Sequence, residues 1–226
     1  GEIAGNGRDD DGNGFVDDVH GINAIRNSGD PNDDDGHGTH VGGTIAAVAN
    51  GGGAAVGVAW NAKIMALKFL PAVGYGSLGD AIQCIDYAIA NGADVMNNSW
   101  GGGPFSFQLA DAINRARSAG IVFVAAAGNG GKDQIGDDND NSIHHYPSDY
   151  SMDNVISVAA INRHGNLARF SNYGRTSVDL AAPGESIYST WHKSNTSYNT
   201  ISGTSMAAPH VSGVAALVLS REPNLT

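Results

Sequence analysis

Apolar and polar positions along this chain follow two periods in turn. Ala62–Leu70 (AKIMALKFL) reads as a strand. Between Ser77 and Asn91, Leu78, Ala81, Ile82, Ile85, Ala88 and Ile89 recur every three or four residues and share one helical face. Ser77 is placed to cap that helix, with Asp80 three residues on, and Gly92 to stop it. Ala93–Asn98 (ADVMNN) reads as the next strand. Ser106–Ala119 reads as a second helix, with Leu109, Ala112, Ile113 and Ala116 on its buried side and Gly120 at its end. Ile121–Ala127 (IVFVAAA) and Val155–Ile161 (VISVAAI) are apolar runs of strand length, and Val178–Ala181 is a shorter one. A last helix is expected from about Thr204 toward Ser220.

Strands alternating with helices of this length predict right-handed βαβ units and a mostly parallel sheet. Sites in such sheets lie beyond the carboxyl ends of the strands. Here those ends carry Ser99-Trp100-Gly101 and Gly128-Asn129. Neither an internal repeat nor a dividing linker is visible. Gly1–Asp35 and Gly130–Tyr150 are rich in Asp, Asn and Gly and read as long loops.

A chain of 226 residues with 41% hydrophobic and 15% charged residues fits one α/β domain with a full core. Its net charge of −11 argues against nucleic acid or an anionic membrane as partner and suits cations. Val211–Leu219, the longest apolar run near the end, is too short to span a bilayer. Cys84 is the single cysteine, on the apolar side of its helix, and reads as a small buried hydrophobe.

Three segments carry candidate chemistry. In Gly203-Thr204-Ser205-Met206-Ala207-Ala208-Pro209-His210, Ser205 sits where a Gly-containing loop enters a helix, whose free N–H groups and partial positive charge suit a developing oxyanion. Taken alone, Ser205 also reads as a capping serine. In Asp35-Gly36-His37-Gly38-Thr39-His40, His37 is placed to act as a base at a helix start. Its spacing to His40 also admits a metal pair, and His40 reads as structural. In Ala125-Ala126-Ala127-Gly128-Asn129, the Asn129 amide can donate to an oxyanion or serve a turn.

GHGTH, AAAGN and GTSMAAPH, in this order on an alternating α/β chain, resemble the signature of the subtilase family of serine proteases. The resemblance implies a three-layer α/β fold with a mostly parallel central sheet flanked by helices. It implies Ser205 as nucleophile, His37 as general base, and Asn129 with the Ser205 N–H as oxyanion donors. Asn98-Ser99-Trp100-Gly101-Gly102 resembles the family's substrate-binding strand. Ser99, Trp100 and Gly101 on one side, with Ala126, Ala127 and Gly128 on the other, would flank the pocket for the side chain preceding the cut. Such a Gly-lined pocket suggests large apolar or aromatic side chains. Plain core packing is the rival reading of Trp100. The family also implies protein or peptide substrates, an inhibitory propeptide, secretion and a monomeric form, with no nucleic-acid or membrane partner.

The resemblance breaks at the triad acid. No apolar run leads into Asp-Ser/Thr-Gly; the nearest imitation, Phe15-Val16-Asp17-Asp18, continues with Val19 and His20. The expectation is a catalytic domain cut at both ends, with the acid-bearing strand upstream of Gly1 and another helix beginning near Pro223–Thr226. The missing acid leaves a catalytically dead peptide-binding protein as the alternative, and a metal hydrolase on His37 and His40 as a third reading. The acidic loop matches most of a calcium site, with Asp9, Asp11, Asn13, the Phe15 carbonyl and Asp17 or Asp18 as ligands to a structural Ca²⁺. A second cluster of Asp133, Asp137, Asp138 and Asp140 reads as a solvated loop, with calcium as its second reading. His144 and His145 beside it read as surface residues.

Overall fold

The computed structural model describes residues 1–49, 53–141 and 143–225. Strand β1 (Gly21–Asn23) pairs in parallel with β2 (Ala66–Lys68). The main sheet runs β3 (Val95–Asn98), β4 (Val122–Ala126), β5 (Val155–Ile161) and β6 (Leu180–Pro183), all parallel and adjacent in chain order. An antiparallel pair, β7 (Ile187–Thr190) and β8 (Tyr198–Ile201), stands apart. The described residues also form four helices: α1 (His37–Ala46), α2 (Leu78–Ala90), α3 (Phe107–Ser118) and α4 (Thr204–Arg221). None is long and apolar enough to cross a membrane among the described residues.

The strand pattern explains the layers. Side chains alternate across β4, so Phe123 and Ala125 face α2 and α3, where they meet Ile85, Leu109, Ala112 and Ile113. Val124 and Ala126 face the other way and meet Val158, Ala160 and, from α4, Ala207 and Ala208. The continuous apolar runs thus mark strands buried on both faces. The helix caps also fall where their residues indicate. Ser77 accepts from Asp80 N at 3.0 Å, and Ser106 accepts from Leu109 N at 3.3 Å.

Several boundaries move. The strand expected over Ala62–Leu70 is regular only at Ala66–Lys68, and the one at Val178–Ala181 shifts to Leu180–Pro183. Val48 lies beyond the end of α1 and is exposed. β1 falls within the segment read as a loop. Beyond Arg221 no further helix follows among the described residues, and Thr226 lies outside them.

The larger departure is in the sheet. Among the described residues β2 pairs only with β1, and β3 only with β4, so the parallel strands form two pieces rather than one. Between β2 and β3 lies a cavity of about 1570 Å³, walled by residues 65–70 on one side and 94–100 on the other. Residues of α1, α2 and α4 line it, and His37 borders it.

Candidate active site

Ser205 is the second residue of α4 and is half-buried. Its Oγ donates to the Ser99 carbonyl at 3.2 Å, and the Ser99 hydroxyl donates to the Ser205 carbonyl at 2.7 Å. This reciprocal pair fastens the end of β3 to the start of α4. Asn129 follows β4 by three residues, and its Oδ1 accepts from Thr204 N at 2.8 Å and Thr204 Oγ1 at 3.0 Å. With Oδ1 so held, Nδ2 is free to donate elsewhere. A methyl group built on Gly203 would lie 3.6 Å from Ser205 N and 3.7 Å from Asn129 Nδ2. Both donors, with Met206 Sδ at 3.7 Å, therefore border one small volume at the start of α4. Two N–H groups bordering one volume can hold an anionic oxygen without reorganising.

His37 opens α1. The N-cap position is Gly36 at φ 108°, where a side chain would overlap the rings of Trp191 and His192. A glycine has no capping side chain, and Asp33 substitutes for one. Its Oδ2 accepts from Thr39 N at 2.8 Å and Thr39 Oγ1 at 2.6 Å, and its Oδ1 accepts from Gly36 N at 2.9 Å. Burial would raise the Asp33 pKa, but these bonds outweigh it and hold the carboxyl at about 2. Burial pushes the His37 pKa below its ordinary 6.5, partly opposed by the charges of Asp35 and Asp33. Asp33 is committed to the cap, and Asp35 accepts from His37 N at 3.2 Å. Neither ring nitrogen of His37 makes a hydrogen bond among the described residues. α1 packs across α4, and the His37 ring meets the slot between β2 and β3.

His40 is fully buried, with Nε2 on the Ile187 carbonyl at 3.0 Å. That accounts for it as a structural residue. The metal-pair reading of His37 with His40 finds no third ligand among the described residues.

The residues expected to bind substrate line one end of the sheet. The peptide groups of Trp100 and Gly101 have no hydrogen-bond partner among the described residues, which leaves a short edge open for an added strand. The Trp100 side chain packs edge-on against Phe69 at 5.0 Å, and its Nε1 donates to Asn98 Oδ1 at 3.1 Å. Core packing therefore explains the indole. Ala126 and Ala127 are buried, and the Ala127 carbonyl accepts from Asn139 Nδ2 at 2.9 Å.

The acidic loop closes differently from the sequence pattern. Ligand oxygens of Glu2, Asp9 and Asp11 lie within 4.8 Å of one another. Glu2 was missed because it stands seven residues before the motif, and no spacing rule reaches it. Asp17 turns away and accepts from Asn6 N and Gly7 N, each at 3.0 Å. Asn13 uses its Oδ1 on Phe15 N and its Nδ2 on Asp18. Asp18 is buried: its Oδ2 accepts from Tyr87 Oη at 2.6 Å, while its Oδ1 has no partner. Burial first, then the Asp18 bond and the charges of Asp18, Asp11 and Glu2, push the Tyr87 pKa up. The three converging carboxylates fit a hard cation with oxygen ligands, and Asp18 stands outside that group. In the second cluster, Asp140 instead accepts from Arg175 N, Thr176 N and Ser177 N, which makes it a loop anchor.

Of the two adjacent histidines, His144 is exposed. His145 is half-buried against Gly101 and Gly128, contrary to its reading as a surface residue. Cys84 is buried, and burial with nearby Asp80 pushes its thiol up to about 12.

Compared with known proteins, residues 2–226 match the model of the subtilase family. Subtilisin-like protease 1 of Plasmodium vivax is 42% identical over 97% of this chain and 36% of its own length. Subtilisin DY of Bacillus licheniformis is 45% identical over 86% of this chain and 67% of its own length. The crystal structure of a cold adapted subtilisin-like serine proteinase superposes with a TM-score of 0.78 at 36% identity. That match covers 99% of this chain and 74% of the other. The chain thus spans little more than a third of the Plasmodium relative.

Proposed function

Because the chain belongs to the subtilase family, we propose that it is the catalytic core of a serine endopeptidase acting on extended segments of proteins or peptides. The observation that carries this reading is the shared volume bordered by Ser205 N and Asn129 Nδ2 at the N-terminus of α4. Ser205 Oγ attacks the scissile carbonyl, and its proton passes to His37. The new oxyanion sits between the two N–H donors, where the α4 terminus adds its partial positive charge. Protonated His37 then gives the proton to the leaving amine, and water hydrolyses the acyl-enzyme by the same steps in reverse. The substrate lies along Ser99, Trp100 and Gly101, pairing through its backbone. Ala126, Ala127 and Gly128 form the opposite wall.

The third group of the triad is an acid on an extended segment seated in the slot between β2 and β3. Two facing strand edges and a bordering His37 support that place. An acid there would fix the imidazole tautomer and stabilise its charged form, and its loss costs about 10⁴ in turnover in known triads. Glu2, Asp9 and Asp11 would hold a structural calcium ion, which would neutralise three carboxylates that the loop's backbone N–H groups bring together. Secretion, an inhibitory propeptide and a monomeric form follow from the same family reading.

One observation favours a second reading. Ser205 Oγ donates to Ser99 rather than to His37, as a peptide-binding protein without turnover would allow. Labelling with a fluorophosphonate, followed by peptide mapping, separates the two. Modification of Ser205 supports the peptidase; a folded chain that resists labelling, with and without an acid-bearing strand supplied, supports the binding protein.

A further inference from the structure

The ring of His145 stands in the gap between the ends of β3 and β4. A methyl group on Gly101 would lie 2.1 Å from its Cε1, and one on Gly128 would lie 2.9 Å from its Cδ2. The two ring carbons that flank Nε2 thus stand against the two glycines that border the substrate groove, with Asn172 Nδ2 closer still to the Gly128 position at 2.4 Å. The position is built into the fold. His145 N donates to Asp149 Oδ2 at 2.7 Å, and Asp149 Oδ1 accepts from Asn139 Nδ2 at 2.9 Å. Asn139 Oδ1 accepts from Asn172 Nδ2 at 2.9 Å, and both asparagines are buried. On the other wall, Gly102 N donates to the Tyr146 carbonyl at 2.9 Å. The loop carrying His145 is therefore tied to both strand ends.

We propose that His145 sets the specificity of the cleft, filling the space between Gly101 and Gly128 so that the residue on the acyl side of the cut must be small: glycine, alanine or serine. The inference rests on the peptidase reading of this cleft. It reverses the expectation from sequence that glycine-lined walls leave room for an aromatic side chain. The glycines do leave room, and the imidazole uses it, together with the Asn172 amide at Gly128. A larger substrate side chain would have to expel the ring, whose backbone is anchored through Asp149. The charged or titratable groups around the ring are Asp149 and Asp137, with His144 next in the chain. Burial pushes the His145 pKa down against the pull of those carboxylates, so near neutral pH the ring is an uncharged plug rather than a cation recruiting acidic side chains.

The test uses N-acetyl peptides with free carboxylates that differ only in a last residue of alanine, leucine or phenylalanine. Their affinity is measured by calorimetry on this chain, on His145→Gly and on His145→Ala, the second variant guarding against misfolding of the first. Fluorophosphonate labelling of Ser205 is run on the same samples. The parent chain should bind the alanine peptide at least about tenfold more tightly than the phenylalanine peptide, and the variants should lose that ratio while holding the alanine peptide within about threefold. A parent that prefers phenylalanine, or folded variants with an unchanged ratio, overturns the inference. Labelled Ser205 with an unchanged ratio leaves the peptidase and removes the plug. A changed ratio with Ser205 unlabelled even when an acid-bearing strand is supplied keeps the plug and removes the peptidase.

Discussion

Asn129 has two separable duties, and substitution can divide them. Its Nδ2 faces the volume beside Gly203, and its Oδ1 holds Thr204 N and Thr204 Oγ1. Asn129→Ala removes both. Thr204 is fully buried, so water does not replace the lost acceptor, and an unpaired buried amide costs about 1–3 kcal/mol. Asn129→Asp keeps acceptor oxygens for Thr204 but removes the donor and sets a negative charge toward the oxyanion. Loss of one oxyanion donor slows the chemical step by about 10²–10³, or about 2.7–4 kcal/mol; subtilisin's asparagine is the reference case for that range, which is not drawn from this geometry. The assay pairs the rate of Ser205 phosphonylation with the thermal midpoint. Both variants should label far more slowly, and only Asn129→Ala should melt lower. Unchanged labelling would show that Nδ2 is not a donor. Equal melting losses in both variants would show that the Thr204 contacts are not what Asn129 contributes to stability.

Asp33→Ala should cost about 1 kcal/mol, the usual worth of a lost helix cap, and should slow Ser205 labelling by loosening His37; a melting midpoint equal to the parent's would refute the capping role. Chelation should lower the midpoint by about 5–10 °C relative to calcium at about a hundredfold above its Kd, and Glu2→Gln should shrink that difference; identical midpoints with and without chelator would remove the cation from the loop. Neutral His37 is the reactive form and its pKa is lowered, so labelling should hold as pH falls to 6.5 and drop only below it; a midpoint above 6.5 would contradict its burial. His37, His40, His145 and His210 are all held below 6.5 by burial. The unfolded chain therefore takes up protons first as pH falls. Their contribution to stability should be complete above 6.5 and decline as pH drops through that value; replacing buried His40 with a neutral residue should weaken this dependence, and an unaltered slope would refute its part.

What was legible in the sequence was local or covalently spaced. Ser77 and Ser106 announced helix starts because a cap acts within three residues. Phe123 through Ala126 announced a strand buried on both sides because both faces are apolar. Ser205 and Asn129 were legible through their motifs, each at a boundary between a regular element and a loop. The rest depended on distance in the chain. β7 and β8 are short, polar and separated by a loop, with no alternation strong enough to mark them. Glu2 joins Asp9 and Asp11 only through the folding of the loop. His145 looked like a surface residue because its neighbours are polar; Gly101 and Gly128, which receive it, lie 44 and 17 positions away.

The split in the sheet also explains why the two halves of the site differ in completeness. The proposed oxyanion donors and Ser205 belong to the four-stranded sheet and α4, which share an apolar core and the reciprocal Ser99–Ser205 bonds. Each of those groups has its position fixed by a partner on a neighbouring element. His37 belongs to α1, which reaches that body through its packing on α4 and on β7. On its other flank α1 meets the slot rather than a strand. If His37 is the base, it lacks among the described residues the side-chain bond that would fix which nitrogen faces Ser205. On the proposed reading, the groups that would stabilise the oxyanion are held by neighbouring elements of the fold, while His37 borders the gap between β2 and β3. One gap thus accounts for both features: it divides the sheet, and it faces the proposed base where an orienting acid would have to stand.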